Sequence, residues 1–207
     1  MPYRIRKHST PKRASKPVYS KELYRCIAAD PPWNETGGGR IKRGADRHYS
    51  LIKKWPDILR VMLQSPVWRP NPDGCHLWLW VTKNHIKEGF KLMEALGFRH
   101  VNDFCWTKAK QDPKTGLWKL SRMGIGQYTR GQHETALFGV MGRLPSKKPR
   151  NVRDACLAET GEHSEKPQAA YDHFERVSLG PRLEMFARIQ RPGWDAHGNE
   201  VQNGKVP

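Results

Sequence analysis

Short apolar runs of strand length alternate along this chain with segments whose apolar residues recur at helical spacing. That alternation limits the fold more than any other feature. A parallel strand pair needs a long crossover, and a helix is the usual way to make one. Residues 24–29, 75–81, 100–107, 135–140 and 183–189 have the apolar content of buried strands. Residues 56–64 have the pattern of a helix, with Pro56 in the first turn, Trp55, Ile58, Leu59, Met62 and Leu63 on one face, and Pro66 after the end. A second helix is expected from Asn84 as cap through Leu96, with Ile86, Phe90 and Met93 on its face and Gly97 closing it. A third opens at Lys166-Pro167 and runs to about Val177. The expectation is an α/β fold with a mostly parallel sheet and helices on both faces. Such sheets bind ligands at the carboxyl ends of their strands, and Asp30-Pro31-Pro32-Trp33 falls at one.

The length, 207 residues, suits one domain. We expect it over residues 19–201, between a flexible basic tail at 1–18 and a short tail at 202–207. Lys and Arg number 37 against 20 Asp and Glu, a net charge of +17, so the natural partner is a polyanion, above all nucleic acid. No apolar stretch approaches a membrane span, and no apolar segment follows the basic N-terminus as in a secretory signal. Cys26, Cys75, Cys105 and Cys156 are widely spaced without a Cys-x-x-Cys pair. That spacing disfavours a zinc site, and no metal is expected. Reduced thiols in a cytoplasmic protein are the simplest reading. Three loop-like segments carry basic residues suited to phosphates: 35–50 with Arg40, Lys42, Arg43 and Arg47; 108–132 with Arg130; and 142–153 with Lys147 and Lys148. His48 and Tyr49 follow the first glycine-rich stretch and could close over a base.

The tetrapeptide at 30–33 carries the chemistry. Asp30 offers a carboxylate, and the two prolines make a rigid turn without N–H groups of their own. A carboxylate beside a fixed carbonyl, that of Pro31, makes a pair of acceptors matched to an amino group with two N–H donors. Trp33 adds an aromatic face on which a planar heterocycle could stack. An exocyclic base amine is the biological ligand with both properties. The alternative is a strand ended by a Pro-Pro turn, with Trp33 in the core.

These residues, with Leu77-Trp78-Leu79-Trp80-Val81-Thr82, Gly131-Gln132-His133-Glu134, His163-Ser164-Glu165-Lys166-Pro167, Arg182–Arg188 and Gly193–Glu200, resemble the DPPW-type adenine-N6 methyltransferases. That family includes the catalytic subunit of the eukaryotic mRNA adenosine methyltransferase and bacterial and phage adenine methylases. The resemblance covers about residues 22–201. It implies a Rossmann-like fold in permuted order, the target-amine motif preceding the cofactor strand, and S-adenosylmethionine as cofactor.

By resemblance, Asp30, Pro31, Pro32 and Trp33 form the catalytic motif, with Asp30 and the Pro31 carbonyl on the adenine amine. Lys166 should meet the cofactor carboxylate, Arg188 its ribose, and Asn199 and Glu200 its hydroxyls, with Asp30 bordering the same site. His133 and Glu134 are expected to order the site or touch the base. Gln190 stands where some members have His, and Asn199-Glu200 where some have Asn-Gln. The long extra regions of the eukaryotic enzymes are not in this sequence, which favours a bacterial or phage enzyme. The expected activity is direct in-line methylation of adenine N6 in DNA, without a covalent enzyme intermediate. The rivals are the same reaction on RNA, and a non-catalytic nucleic-acid-binding subunit.

Overall fold

A computed structural model describes residues 19–34, 54–124, 128–143, 151–161, 165–198 and 201. The tails at 1–18 and 202–207, the basic and glycine-rich residues of 35–50, Lys147, Lys148, Asn199 and Glu200 lie outside these described residues. The strands are β1 (Cys26–Ala29), β2 (Gly74–Val81), β3 (Arg99–Gln111), β4 (Trp118–Leu120), β5 (His133–Gly142), β6 (Ala155–Ala158), β7 (Arg182–Met185) and β8 (Asp195–His197). The helices are α1 (Trp55–Gln64), α2 (Ile86–Ala95) and α3 (Gln168–Val177). One sheet runs β4-β3-β5-β2-β1-β7-β8, with β6 also paired to β3.

The sheet is mixed rather than mostly parallel. β2, β1, β7 and β8 form a parallel block, and β6 lies parallel to β3. The half made of β5, β3 and β4 is antiparallel. The reason is legible in the connections: no described helix separates β3 from β4 or β4 from β5, and parallel pairing would need such a crossover.

Side-chain alternation then fixes which residues share a face. Ile27, Ala29, Leu77, Leu79, Leu137, Leu183 and Met185 pack with Ile58 and Met62 of α1 and Leu92 and Met93 of α2. Cys26, Ala28, Trp78, Trp80, Phe104, Trp106 and Ala136 pack on the other face with Ala170, Tyr171 and Phe174 of α3. Helices therefore cover both faces, as expected.

Several local expectations need correction. Leu63, Ile86 and Phe90 are exposed, because the buried stripes of α1 and α2 are narrower than the apolar spacing suggests. Asn84 does not cap α2. It sits in a 3-10 turn, Lys83–His85, and His85 precedes the helix without a side-chain cap. The strand expected over 183–189 stops at Met185, because Phe186 takes φ +61. β4 and β8, three residues each, are too short to leave an apolar run, and β6, though apolar, buries only its last residue.

One packing contact makes a clear test. A Cβ built on Gly89 of α2 would lie 2.5 Å from Val81 Cγ1 and 3.1 Å from Leu137 Cδ1. Ala is the better helix former by about 1 kcal/mol. Val81 is β-branched and sits in a central strand, so it cannot yield freely. We predict that Gly89→Ala destabilises the fold by about 1–3 kcal/mol, measured by urea denaturation. A stabilised variant would contradict this packing.

Candidate active site

The sheet brings four strand ends together. β2 is parallel to β1, β5 antiparallel to β2, and β3 antiparallel to β5. The carboxyl ends of β1, β2 and β3 and the start of β5 therefore lie along one edge. Asp30 directly follows β1 there. Glu134 shares the α3 side of β5 with Ala136, and Lys108 continues the parity of Phe104 and Trp106 on β3. Lys166 comes from the segment entering α3 on that same side.

These four side chains form an alternating chain of charge. Lys166 Nζ donates to Asp30 Oδ2 at 2.6 Å and lies 3.2 Å from Glu134 Oε2. Lys108 Nζ is 2.6 Å from Glu134 Oε1. Each lysine also sits 5.2 Å from an indole centroid, Lys166 over Trp80 and Lys108 over Trp106. Lys166 is buried. Burial alone would favour its neutral form, but Asp30 and Glu134 outweigh that and hold its pKa above the ordinary lysine value. Burial likewise opposes the Glu134 charge, and Lys166 and Lys108 more than offset it.

Beside this chain lies a cleft lined by Asp30, Lys166, Glu184, Phe186, Arg188 and Arg191, among others. Glu184 points into the α3 side because its neighbours Leu183 and Met185 point to the other. Tyr171 donates its hydroxyl to Glu184 Oε1 at 2.5 Å, and Arg191 Nε is 3.5 Å from Oε2. Arg191 is fixed by donating to the Lys166 carbonyl at 2.8 Å and to Gln168 Oε1 at 3.0 Å. Its guanidinium carbon lies 3.9 Å from the Tyr171 centroid. Burial pushes the Glu184 carboxyl up to about 7 despite the Tyr171 hydrogen bond and the Arg191 charge. Phe186, at positive φ, stores strain of about 1–3 kcal/mol on the cleft wall. Ala187 donates its N–H to the His197 carbonyl at 3.0 Å, and a Cβ on Gly198 would collide with the Ala187 backbone. Only glycine allows that crossing.

The model of the MT-A70 family matches residues 24–200. The chain belongs to the MT-A70 family. It is 29% identical to the Type II methyltransferase M.MunI of Mycoplasma sp, over 92% of this chain and 83% of that protein. It is 32% identical to a probable N(6)-adenosine-methyltransferase MT-A70-like of Oryza sativa, over 87% of this chain but 23% of that protein. It is 28% identical to the human N(6)-adenosine-methyltransferase catalytic subunit METTL3, over 86% of this chain and 28% of that protein. The chain thus spans about a quarter of the plant and human relatives.

Against this MT-A70 framework, Asp30, Lys166 and Arg188 come together at one cleft. Trp33 does not offer an open stacking face. It is 4% exposed, donates Nε1–H to the Trp80 carbonyl at 2.8 Å, and stacks on His85 at 5.5 Å. The Pro31 carbonyl is not free of local competition either, since Trp33 N–H donates to it at 2.8 Å. That leaves it one lone pair. His133 and Glu134 are neighbours on a strand and point to opposite faces, so they do not form an acid–base couple. Arg130 is exposed. Gln190 donates to the Trp194 carbonyl at 2.6 Å and braces its own turn.

Lys108, Tyr171, Glu184 and Arg191 also belong to the site, though no motif in the sequence marks them. Glu184 had a signal: a carboxylate between Leu183 and Met185 in a buried strand is the kind of buried polar group that needs an explanation. Among the described residues, no group of three His, Cys, Asp or Glu side chains could hold a metal, and no helix is long and apolar enough to cross a membrane.

Two predictions follow the charges. A raised lysine pKa adds stability that is complete below the ordinary lysine value and fades as pH rises through the folded value. A depressed glutamate pKa adds stability present above the ordinary glutamate value and lost as pH falls through the folded one. Both contributions are complete near neutral pH. Lys166→Met should therefore cost about 3–5 kcal/mol at neutral pH, and less once acid neutralises Glu134. Urea denaturation across that range tests it, and a pH-independent loss would contradict the shared ion pair. Glu184 runs the other way: its folded pKa is raised, so the native state holds the proton longer and stability falls as pH rises from the ordinary glutamate value to about 7. Glu184→Gln should flatten the slope of stability against pH in that window.

Proposed function

We propose that this chain is an S-adenosylmethionine-dependent methyltransferase that methylates the N6 amine of adenine in DNA. The observation that carries this reading is Asp30, at the carboxyl end of a central strand, followed by Pro31-Pro32 and held by Lys166 at 2.6 Å within an MT-A70 domain. A scaffold that had given up catalysis would have no need to fix a carboxylate there.

The cleft chemistry suits the cofactor. Carboxylates of Asp30 and Glu184 match an ammonium, Lys166 and Arg188 match a carboxylate and polar hydroxyls, and Phe186 adds an apolar wall. Asn199 and Glu200 follow Gly198 directly and would complete the hydroxyl contacts. The order of elements supports the permuted reading: β1 with Asp30 comes first, and β7 and β8 beside it come last. When bound, the cofactor supplies a methyl group activated on a sulfonium.

The chain's own part is positioning. The adenine amine has its lone pair delocalised into the ring. Asp30 and the remaining lone pair of Pro31 can each accept one N–H, turning the nitrogen toward the methyl donor. Lys166 holds the Asp30 carboxylate in place, and Trp33 anchors the Pro-Pro turn to Trp80. A paired adenine hides this edge, so the base must be flipped out or already single-stranded.

DNA is favoured over RNA because the overlap extends through 83% of the Type II methyltransferase M.MunI but only about a quarter of the N(6)-adenosine-methyltransferases. The test is transfer from labelled S-adenosylmethionine to matched double-stranded DNA, single-stranded DNA and RNA, followed by nucleoside analysis. We expect N6-methyladenine in DNA. Asp30→Asn should lower kcat/KM at least 100-fold, roughly the scale of one positioned transition-state contact, with cofactor affinity by calorimetry changed only severalfold. Product confined to RNA would reassign the substrate. Near-normal transfer by Asp30→Asn would remove Asp30 from the mechanism.

A further inference from the structure

β3 does not end where the core ends. Beyond Thr107, its last residue paired with β5, it runs on to Gln111 and turns back through β4, pairing Ala109 with Leu120, Lys110 with Lys119 and Gln111 with Trp118. An Asx-type turn closes this ribbon, Asp112 Oδ1 accepting from the N–H groups of Lys114 and Thr115 at 2.9 and 3.2 Å. All three residues of β4 and Lys110 and Gln111 of β3 are exposed, whereas Ala109, opposite Leu120, is buried at the ribbon's base. It leaves the sheet at the same edge as Asp30. Its root is Lys108, which pairs with Glu134 and through it with Lys166. Ser121 N–H donates to the Lys108 carbonyl and Gln132 Nε2–H to the Ser121 carbonyl, tying the returning chain to that root.

The two faces differ. One carries Trp118, 41% exposed, and Leu120, 61% exposed. The other carries Lys110 directly opposite Lys119. Like charges opposed across a strand pair are unfavourable. Asp112, 3.3 Å from Lys119, meets only one of them. Over residues 109–124 and 128–131, Lys114, Arg122 and Arg130 add to that charge against Asp112, and Glu159 reaches the ribbon from outside it, accepting from Gln111 N–H at 3.3 Å. An exposed aromatic with two opposed lysines on the other face, rooted beside the candidate site through Lys108 and Glu134, is complementary to a nucleic-acid strand. A two-stranded ribbon also fits a DNA groove.

We infer that the β3–β4 ribbon is the element that grips the DNA flanking the target adenine, with Lys110 and Lys119 on backbone phosphates and Trp118 against a sugar or base. This rests on the DNA-methylating reading above. The test compares the full-length protein with Lys110→Gln/Lys119→Gln and with Trp118→Ala, using a fluorescein-labelled adenine-containing duplex. Anisotropy across a salt series should show weaker binding by the double variant, on the order of tenfold, and a log Kd against log salt slope reduced by about 2. Trp118→Ala should weaken binding at all salts without changing the slope. The shift in melting temperature caused by S-adenosylmethionine should match wild type in both, which also shows that they fold. Wild-type binding and salt slope in both variants, while the parent methylates the duplex, would overturn the ribbon's role and leave the activity standing. A parent that neither binds nor methylates the duplex would overturn the activity itself and the ribbon's role with it. A dimeric parent that Trp118→Ala renders monomeric in sedimentation, with DNA affinity unchanged, would assign the ribbon to a second copy of the chain and overturn the inference.

Discussion

The ammonium of Lys166 holds the site together. It is buried, and a buried charge persists only when paired and hydrogen-bonded. Two carboxylates from separate strands meet it, Asp30 after β1 and Glu134 on β5. These strands are not adjacent, since β2 lies between them. The ion pairs therefore span three strands and tie the parallel half of the sheet to the antiparallel half. Removing the central cation leaves Asp30 uncompensated and Glu134 with Lys108 alone. Replacing the whole set by apolar residues would cost far less, and could even add stability. The charges are thus better explained by chemistry at this edge than by stability.

Geometry upstream of Lys166 is equally constrained. It precedes Pro167, which leads into α3, and its carbonyl is held by Arg191. Arg191 in turn reaches Gln168, Glu184 and the Tyr171 ring. One cluster thereby links the entrance of α3, the face of β7 and the cleft wall. Glu184 sits in it at a cost, because burial favours its protonated form near neutral pH. A carboxyl so placed beside Asp30 keeps the cleft from carrying two full negative charges side by side, while a bound cationic group would favour its ionised form.

Much of this was legible in the residues. Five of the described strands and the three helices follow from apolar period, and the edge that carries Asp30 follows from the strand that precedes it. The antiparallel half was harder, because the residues between β3 and β5 are polar and glycine-rich and look like loop. Their pairing is decided by register with β3, a long-range fact that a local window does not contain. Glu134 stands out in the sequence, but its pairing with Lys108 does not, for the same reason: the two are 26 positions apart and meet only because β3 and β5 pair. Trp33 misled in the opposite direction. An indole after a Pro-Pro turn has the chemistry of a stacking surface, but its N–H finds the Trp80 carbonyl and its ring finds His85.

The position of Trp33 changes what the tetrapeptide does. If the indole is an anchor, the turn gains its rigidity from both ends: Asp30 is held by Lys166, and Trp33 by Trp80 of the neighbouring strand. Between those fixed points the two prolines leave the backbone little freedom. The Trp33 N–H on the Pro31 carbonyl then selects which lone pair of that oxygen faces outward. The acceptor pair is consequently set before any ligand arrives, so little reorganisation remains to be done during the reaction. On this view the aromatic residue supplies orientation through the backbone, so that the acceptors are Asp30 and Pro31 and the indole itself does not stack on the base.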